Sequence, residues 1–188
     1  CELRGNHFAC PLPAAAMDHC GATCACVGAS AKLSSADCTV WQSVVRNSSW
    51  FTSAKPAACQ EPSHLTDPCS CTDVISCADG RIVGVDLNSR SLTLNADADD
   101  SLSRLGGLQT LTLGAYPNPT NQLVGPMPSW LGKLAGSLTH LELGWNSLSG
   151  PIGIALTIVQ GLKKLEYMDL QANQFSGPID AVKGLTSL

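Results

Sequence analysis

With 188 residues the chain has room for one ordinary domain plus a small appendage, and a hydrophobic fraction of 44% is enough for a packed core. Only 14% of residues are charged, against roughly 25% in typical soluble domains, so hydroxyls, glycans or burial in an assembly must keep the surface soluble. A net charge of −4 excludes the basic face of a nucleic-acid binder, and no apolar run approaches the ~20 residues of a membrane-spanning helix.

Residues 1–37 form a small, Cys-rich N-terminal segment. The chain starts at Cys1 without Met or a charged-then-apolar leader, which predicts a mature or trimmed product. Its cysteines (Cys1, Cys10, Cys20, Cys24 and Cys26) belong to a set of ten, completed by Cys38, Cys59, Cys69, Cys71 and Cys77. An even number crowded into one end of a chain points to disulfides made in an oxidising compartment, with a pairing that spacing does not fix. A zinc site from His19, Cys20, Cys24 and Cys26 fails on spacing, because Cys20-x3-Cys24-x-Cys26 lacks the paired C-x2-C knuckles such sites use. No metal and no cofactor is expected. The sequon Asn47-Ser48-Ser49 agrees with secretion and marks Asn47 for glycosylation.

Residues 38–80 read as a cap. Val40, Trp41, Val44, Val45 and Phe51 fall near helical spacing, with Asp37 placed to cap the helix N-terminus. Asp79-Gly80 suits a tight hairpin turn between the segment ending at Cys77 and the one beginning at Arg81. Asp97, Asp99 and Asp100 lack the spacing of a calcium loop and read as a solvated turn.

Residues 81–188 repeat. One unit is Leu138-x-x-Leu141-x-Leu143-x-x-Asn146-x-Leu148-x-Gly150-Pro151-Ile152, and the next is Leu165-x-x-Met168-x-Leu170-x-x-Asn173-x-Phe175-x-Gly177-Pro178-Ile179. An earlier unit runs from Leu108 through Leu111 and Leu113 to Asn121, Leu123, Gly125 and Pro126, and a degenerate one holds Val85 and Leu87. Asn121, Asn146 and Asn173 are 25 and 27 residues apart, within the 20–29 residue period of leucine-rich repeats. Leu-x-Leu alternation gives a short strand with the leucines inward, and a single coil cannot hide them, so neighbours stack around one shared core. Each Asn turns inward to bond backbone groups stranded at the bend, and each Gly relieves a crowded turn. The following Pro is expected to hold an extended, unpaired outer segment. Five extra residues lie between Leu113 and Asn121, either a loop at the binding edge or a tolerated surface extension. A last unit at Val182, Leu185 and Leu188 stops in mid-repeat.

The segment Asp67-Pro68-Cys69-Ser70, the later Cys77, the Asp79-Gly80 turn, the Val85-x-Leu87 strand and the Asn-x-Leu-x-Gly-x-Ile motifs at Asn146 and Asn173 together carry a resemblance. They resemble plant-type extracellular leucine-rich repeat proteins, the group that includes receptor-like kinase ectodomains and polygalacturonase-inhibitor proteins. The resemblance implies an α/β solenoid with short parallel strands on its concave face and a helical, disulfide-bonded N-terminal cap. It also implies a Cys69–Cys77 bridge, with Cys38 joined to Cys59 or another cap cysteine.

Outward strand residues should stack into columns from coil to coil. One column holds Asp86, Thr112, Glu142 and Asp169, and the one before it Gly84, Thr110, His140 and Tyr167; beyond lie Gln171 and Trp145. Carboxylates beside aromatic rings suit a basic peptide, a protein surface or a sugar. No metalloprotease, nucleophile-elbow or phosphate-loop motif occurs, so no catalytic residue is expected. Two functions fit: an extracellular, secreted or cell-surface recognition domain for a protein, peptide or glycan, and a subunit of an extracellular glycosylated fibre or coat. In the second, the 1–37 segment of one copy would cover the open end of another, head to tail.

Overall fold

The computed structural model describes residues 7–8, 23–24, 33–47, 49–50, 68–114 and 121–178. In the Cys-rich segment β1 (His7–Phe8) pairs in parallel with β2 (Thr23–Cys24). Helix α1 (Ser35–Asn47) follows, and its N-cap is Ser34, not Asp37. The Ser34 hydroxyl accepts the Asp37 N–H at 3.1 Å, and the Ser34 carbonyl accepts the Cys38 N–H. Asp37 is instead buried and used across the fold: its carboxylate accepts the Arg81 Nε–H at 2.8 Å and the Ile82 N–H at 2.9 Å. A buried carboxylate persists only when its oxygens are bonded, so this contact pins α1 to the first strand of the solenoid. Trp41 and Val44 on α1 are buried as its spacing predicts, whereas the side chains of Val45 and Phe51 lie outside the described residues.

Strands β3 (Ile75–Ala78) and β4 (Arg81–Asp86) form the expected antiparallel hairpin. Asp79 and Gly80 both have positive φ, 50° and 72°, the backbone that the right-handed twist of a two-residue turn demands. The Cys69–Cys77 disulfide ties the 3-10 turn Pro68–Ser70 to β3, with the Cα atoms 5.8 Å apart. Cys38 and Cys71 are disulfide-bonded too. The pairing of Cys38 with Cys59, and the bridges of Cys1, Cys10, Cys20 and Cys26, lie outside the described residues.

From β4 onward the chain is a parallel solenoid. Strands β5 (Thr110–Thr112), β7 (His140–Glu142) and β9 (Tyr167–Asp169) follow β4 in register, with Val85, Leu111, Leu141 and Met168 as successive neighbours. Leu87, Leu111, Leu113, Leu141 and Leu143 are fully buried, while Met168 and Leu170 in the last described coil are partly so.

A second parallel sheet corrects the expectation of an unpaired outer segment. Strands β6 (Val124–Gly125), β8 (Ser147–Pro151) and β10 (Gln174–Ser176) pair side by side, because the residues between each Asn and its Gly are free to bond the same stretch of the next coil. Pro ends this pairing without preventing it. Gly125, Gly150 and Gly177 then turn the chain at φ of 93°, 98° and 94°, a region that side chains resist. The other side of each coil carries 3-10 turns at Ser101–Arg104 and Ser129–Leu134 and helix α2 (Ile152–Gly161).

The aspartates at 97, 99 and 100 are no mere solvated turn. Asp99 accepts the Ser49 N–H and hydroxyl at 2.6 and 2.7 Å, Asp97 accepts the Ser129 N–H at 2.6 Å, and Asp100 pairs with Lys133 at 2.6 Å. Trp50 donates its ring N–H to the Asp99 carbonyl and packs edge-on against Trp130, with centroids 6.0 Å apart. These acids therefore clip the cap and the next coil to the first. The inserted residues 115–120 and the final unit, which the fibre alternative would place in a head-to-tail contact, lie outside the described residues.

Candidate functional site

Strand pairing sets the concave face column by column. Gly84, Thr110, His140 and Tyr167 are successive neighbours across the sheet, and Asp86, Thr112, Glu142 and Asp169 form the adjacent column two residues along each strand. Side chains of period two point to one face, so both columns stand on the side opposite the leucines. Asp86 is exposed, Glu142 and Asp169 are half-exposed, and Thr112 is buried between its neighbours at 8% exposure. Three carboxylates thus follow one another down the solenoid.

Each acid has its own local anchor. Asp86 accepts the Asn88 N–H and Asp169 the Gln171 N–H, both at 2.8 Å, and the Gln171 amide also donates to Asp169 at 3.1 Å. Glu142 Oε1 lies 2.8 Å from His140 Nε2. Gly144 leaves room for the Asp169 carboxylate: a Cβ on it would come within 2.6 Å of Asp169 Oδ2, so the Asp169 side chain would have to turn away. The His140 and Tyr167 rings stack in parallel, 4.2 Å apart and 8° from coplanar. Each ring gives one face to the other, so the pair binds coil to coil, and Tyr167 stays 46% exposed.

Trp145 lies at the far end of the face, just after β7. It is 39% exposed and sits at φ 58°. The equivalent places in other coils hold Ser89 at φ 54° and Ala172 at φ 50°, so the repeat itself imposes the left-handed conformation at this bend. Its N–H donates to the Gln171 carbonyl at 2.9 Å, which locks that backbone. A bulky side chain in this region costs about 1 kcal/mol that Gly would not. Thr110 is half-exposed and Gln171 exposed. Asn47 ends helix α1, and its side chain lies outside the described residues.

At the cap end the face opens into a pocket of about 210 Å³ lined by Ser76, Val83, Gly84, Val85, Asp86, Gln109, Thr110 and Thr112. Column reasoning from sequence found Asp86, Thr110 and Thr112 but not Ser76 or Gln109, which reach the pocket from the hairpin and from the residue before β5. The one signal was Gly84, a gap in a column otherwise filled by Thr110, His140 and Tyr167. Among the described residues no cluster of His, Cys, Asp and Glu could hold a metal ion.

Stacked parallel coils, an inward Asn at each bend and a disulfide-bonded cap define a leucine-rich repeat solenoid. No family model matches the chain. In sequence it is similar to two proteins of Arabidopsis thaliana: the receptor-like protein kinase HAIKU2, at 35% identity over 121 residues, and the protein BRASSINOSTEROID INSENSITIVE 1, at 31% over 113 residues. These alignments take in 59% and 58% of this chain but only 11% and 9% of the relatives, so it spans about a tenth of their length. In structure it resembles the leucine-rich repeat ectodomain of the Arabidopsis receptor kinase SOBIR1, with a TM-score of 0.56 at 24% identity, covering 83% of this chain and 77% of that one. No helix among the described residues is long and apolar enough to cross a membrane.

Proposed function

We propose that the chain is a secreted or cell-surface recognition domain, without catalytic chemistry of its own, that binds a protein, peptide or glycan partner on its concave face. The observation that carries this reading is Trp145, a large exposed aromatic where other coils place Ser89 and Ala172. A large exposed aromatic where the same place in other coils holds a small residue supports contact with a partner. The acid column of Asp86, Glu142 and Asp169 favours partners carrying positive charge. Similarity to receptor kinases and the oxidised cysteines support an extracellular setting, in which Asn47 would carry a glycan.

Selection of peptide and glycan display libraries on the native protein tests this. Binders should lose affinity about tenfold or more for Trp145→Gly. That variant should also unfold no more easily than the parent and gain up to about 1 kcal/mol from the relaxed backbone. Ile154→Ser, on helix α2 away from the concave sheet, should leave binding intact. Binders indifferent to Trp145→Gly and Tyr167→Ala yet lost with Ile154→Ser would sink the reading.

A further inference from the structure

The pocket beside Gly84 has unclaimed hydrogen-bonding capacity. Ser76, Asp86, Gln109, Thr110 and Thr112 all line it. Among the described residues the only side-chain hydrogen bond made by any of them is that of Asp86 Oδ1, which accepts the Asn88 N–H; Asp86 Oδ2 stays open. No Lys or Arg lines the pocket, so nothing within it neutralises the carboxylate.

Gly84 leaves room for Ser76, its antiparallel neighbour on β3: a Cβ at Gly84 would lie 3.0 Å from the Ser76 Cβ, so the gap in the column follows from the hairpin strand packed beside it. At about 210 Å³ the pocket is smaller than the roughly 300–1,000 Å³ of small-molecule sites and suits a single inserted side chain. One free carboxylate oxygen, ringed by hydroxyls and a carboxamide that can accept hydrogen bonds, matches a group that is positively charged and donates in several directions.

We infer that this pocket is the anchor for a lysine or arginine side chain of a peptide or protein laid on the concave face. The inference rests on the recognition reading above and deepens it by naming the chemistry of one contact. A bound arginine would donate to Asp86 Oδ2 and to the Thr110 hydroxyl or the Gln109 carbonyl of the side chain, while its stem lies along the floor at Val83 and Gly84.

Titration of the isotopically labelled 188-residue chain with acetyl-arginine amide, acetyl-lysine amide, acetyl-glutamine amide and N-acetylglucosamine, followed by amide NMR shifts, tests the assignment. The two cationic probes should move the Gly84, Thr110 and Thr112 amides in a saturable way, with binding weakened by added salt. Asp86→Asn keeps the Oδ1 acceptor for Asn88 and should weaken cation binding roughly tenfold or more. Thr110→Trp, which fills the pocket from an outward position, should abolish it. Equal shifts with the glutamine or sugar probe that survive Asp86→Asn would overturn the cation assignment, as would no shift with any probe. Both results leave the Trp145 test untouched, so failure of the pocket and failure of the recognition face are distinguishable.

Discussion

Asn146 shows how much of this fold a single side chain carries. Its Oδ1 accepts the Leu123 N–H at 3.0 Å, and its Nδ2 donates to the carbonyls of Leu113, Leu143 and Gly144. Asn121 bonds Leu92, Leu87 and Leu113 in the same manner, and Asn173 bonds Leu148, Leu143 and Leu170. Each amide therefore satisfies backbone groups of its own coil and of the coil before it. Asn146→Ala should cost about 3 kcal/mol in urea unfolding, since it strands one buried donor and several acceptors. Asn146→Asp should cost more, because a carboxylate cannot donate to three carbonyls. Equal stability for either variant would show that the ladder is ornamental. The inward Asn was legible in sequence because its spacing from the Leu-x-Leu pair is regular. Asp37 was not: a carboxylate near a helix start reads as a cap until the position of Arg81, 44 residues on, is known.

At the scale of elements, the join between cap and solenoid depends on Asp99. Burial alone would raise its pKa; hydrogen bonds from the hydroxyl and N–H of Ser101, and then of Ser49, overcome this and hold the carboxyl at about 2. A depressed carboxyl contributes stability that is complete above the unfolded pKa near 4 and is lost as pH falls through about 2. With solvent screening of a half-exposed group, the contribution is about 1 kcal/mol. Urea midpoints measured from pH 6 to 2 should fall less steeply for Asp99→Asn than for the parent between pH 4 and 2. Parallel curves would remove Asp99 from the account. Sequence placed helix α1 and the β3–β4 hairpin correctly, since helical spacing and Asp79-Gly80 are local signals. It missed the sheet β6–β8–β10, whose pairing partners are a full coil apart, and the Trp50–Trp130 contact across 80 positions.

Among the described residues one buried cluster runs from Trp41 in the cap to Leu165 just before β9. Coils that share an interior with their neighbours cannot melt singly at little cost. Leu141→Ala, in the middle of the stack, should lower stability by about 2–5 kcal/mol and shift tryptophan fluorescence and far-UV circular dichroism together. If the fluorescence of Trp41 and Trp50 kept its midpoint while the dichroism moved, cap and coils would be separate units. By itself the sequence determined the repeat, the stacking of Leu111, Leu141 and Met168, and the columns of the concave face, because a periodic pattern with one buried side has a single self-consistent register. Only the tertiary structure decided which of those outward residues are used up and which are open. His140 spends a ring face on Tyr167, Glu142 spends an oxygen on His140, and Asp86 lines the pocket beside Gly84 with one oxygen open. Those outcomes depend on how close neighbouring coils and the hairpin approach, a distance in space that no spacing along the chain records.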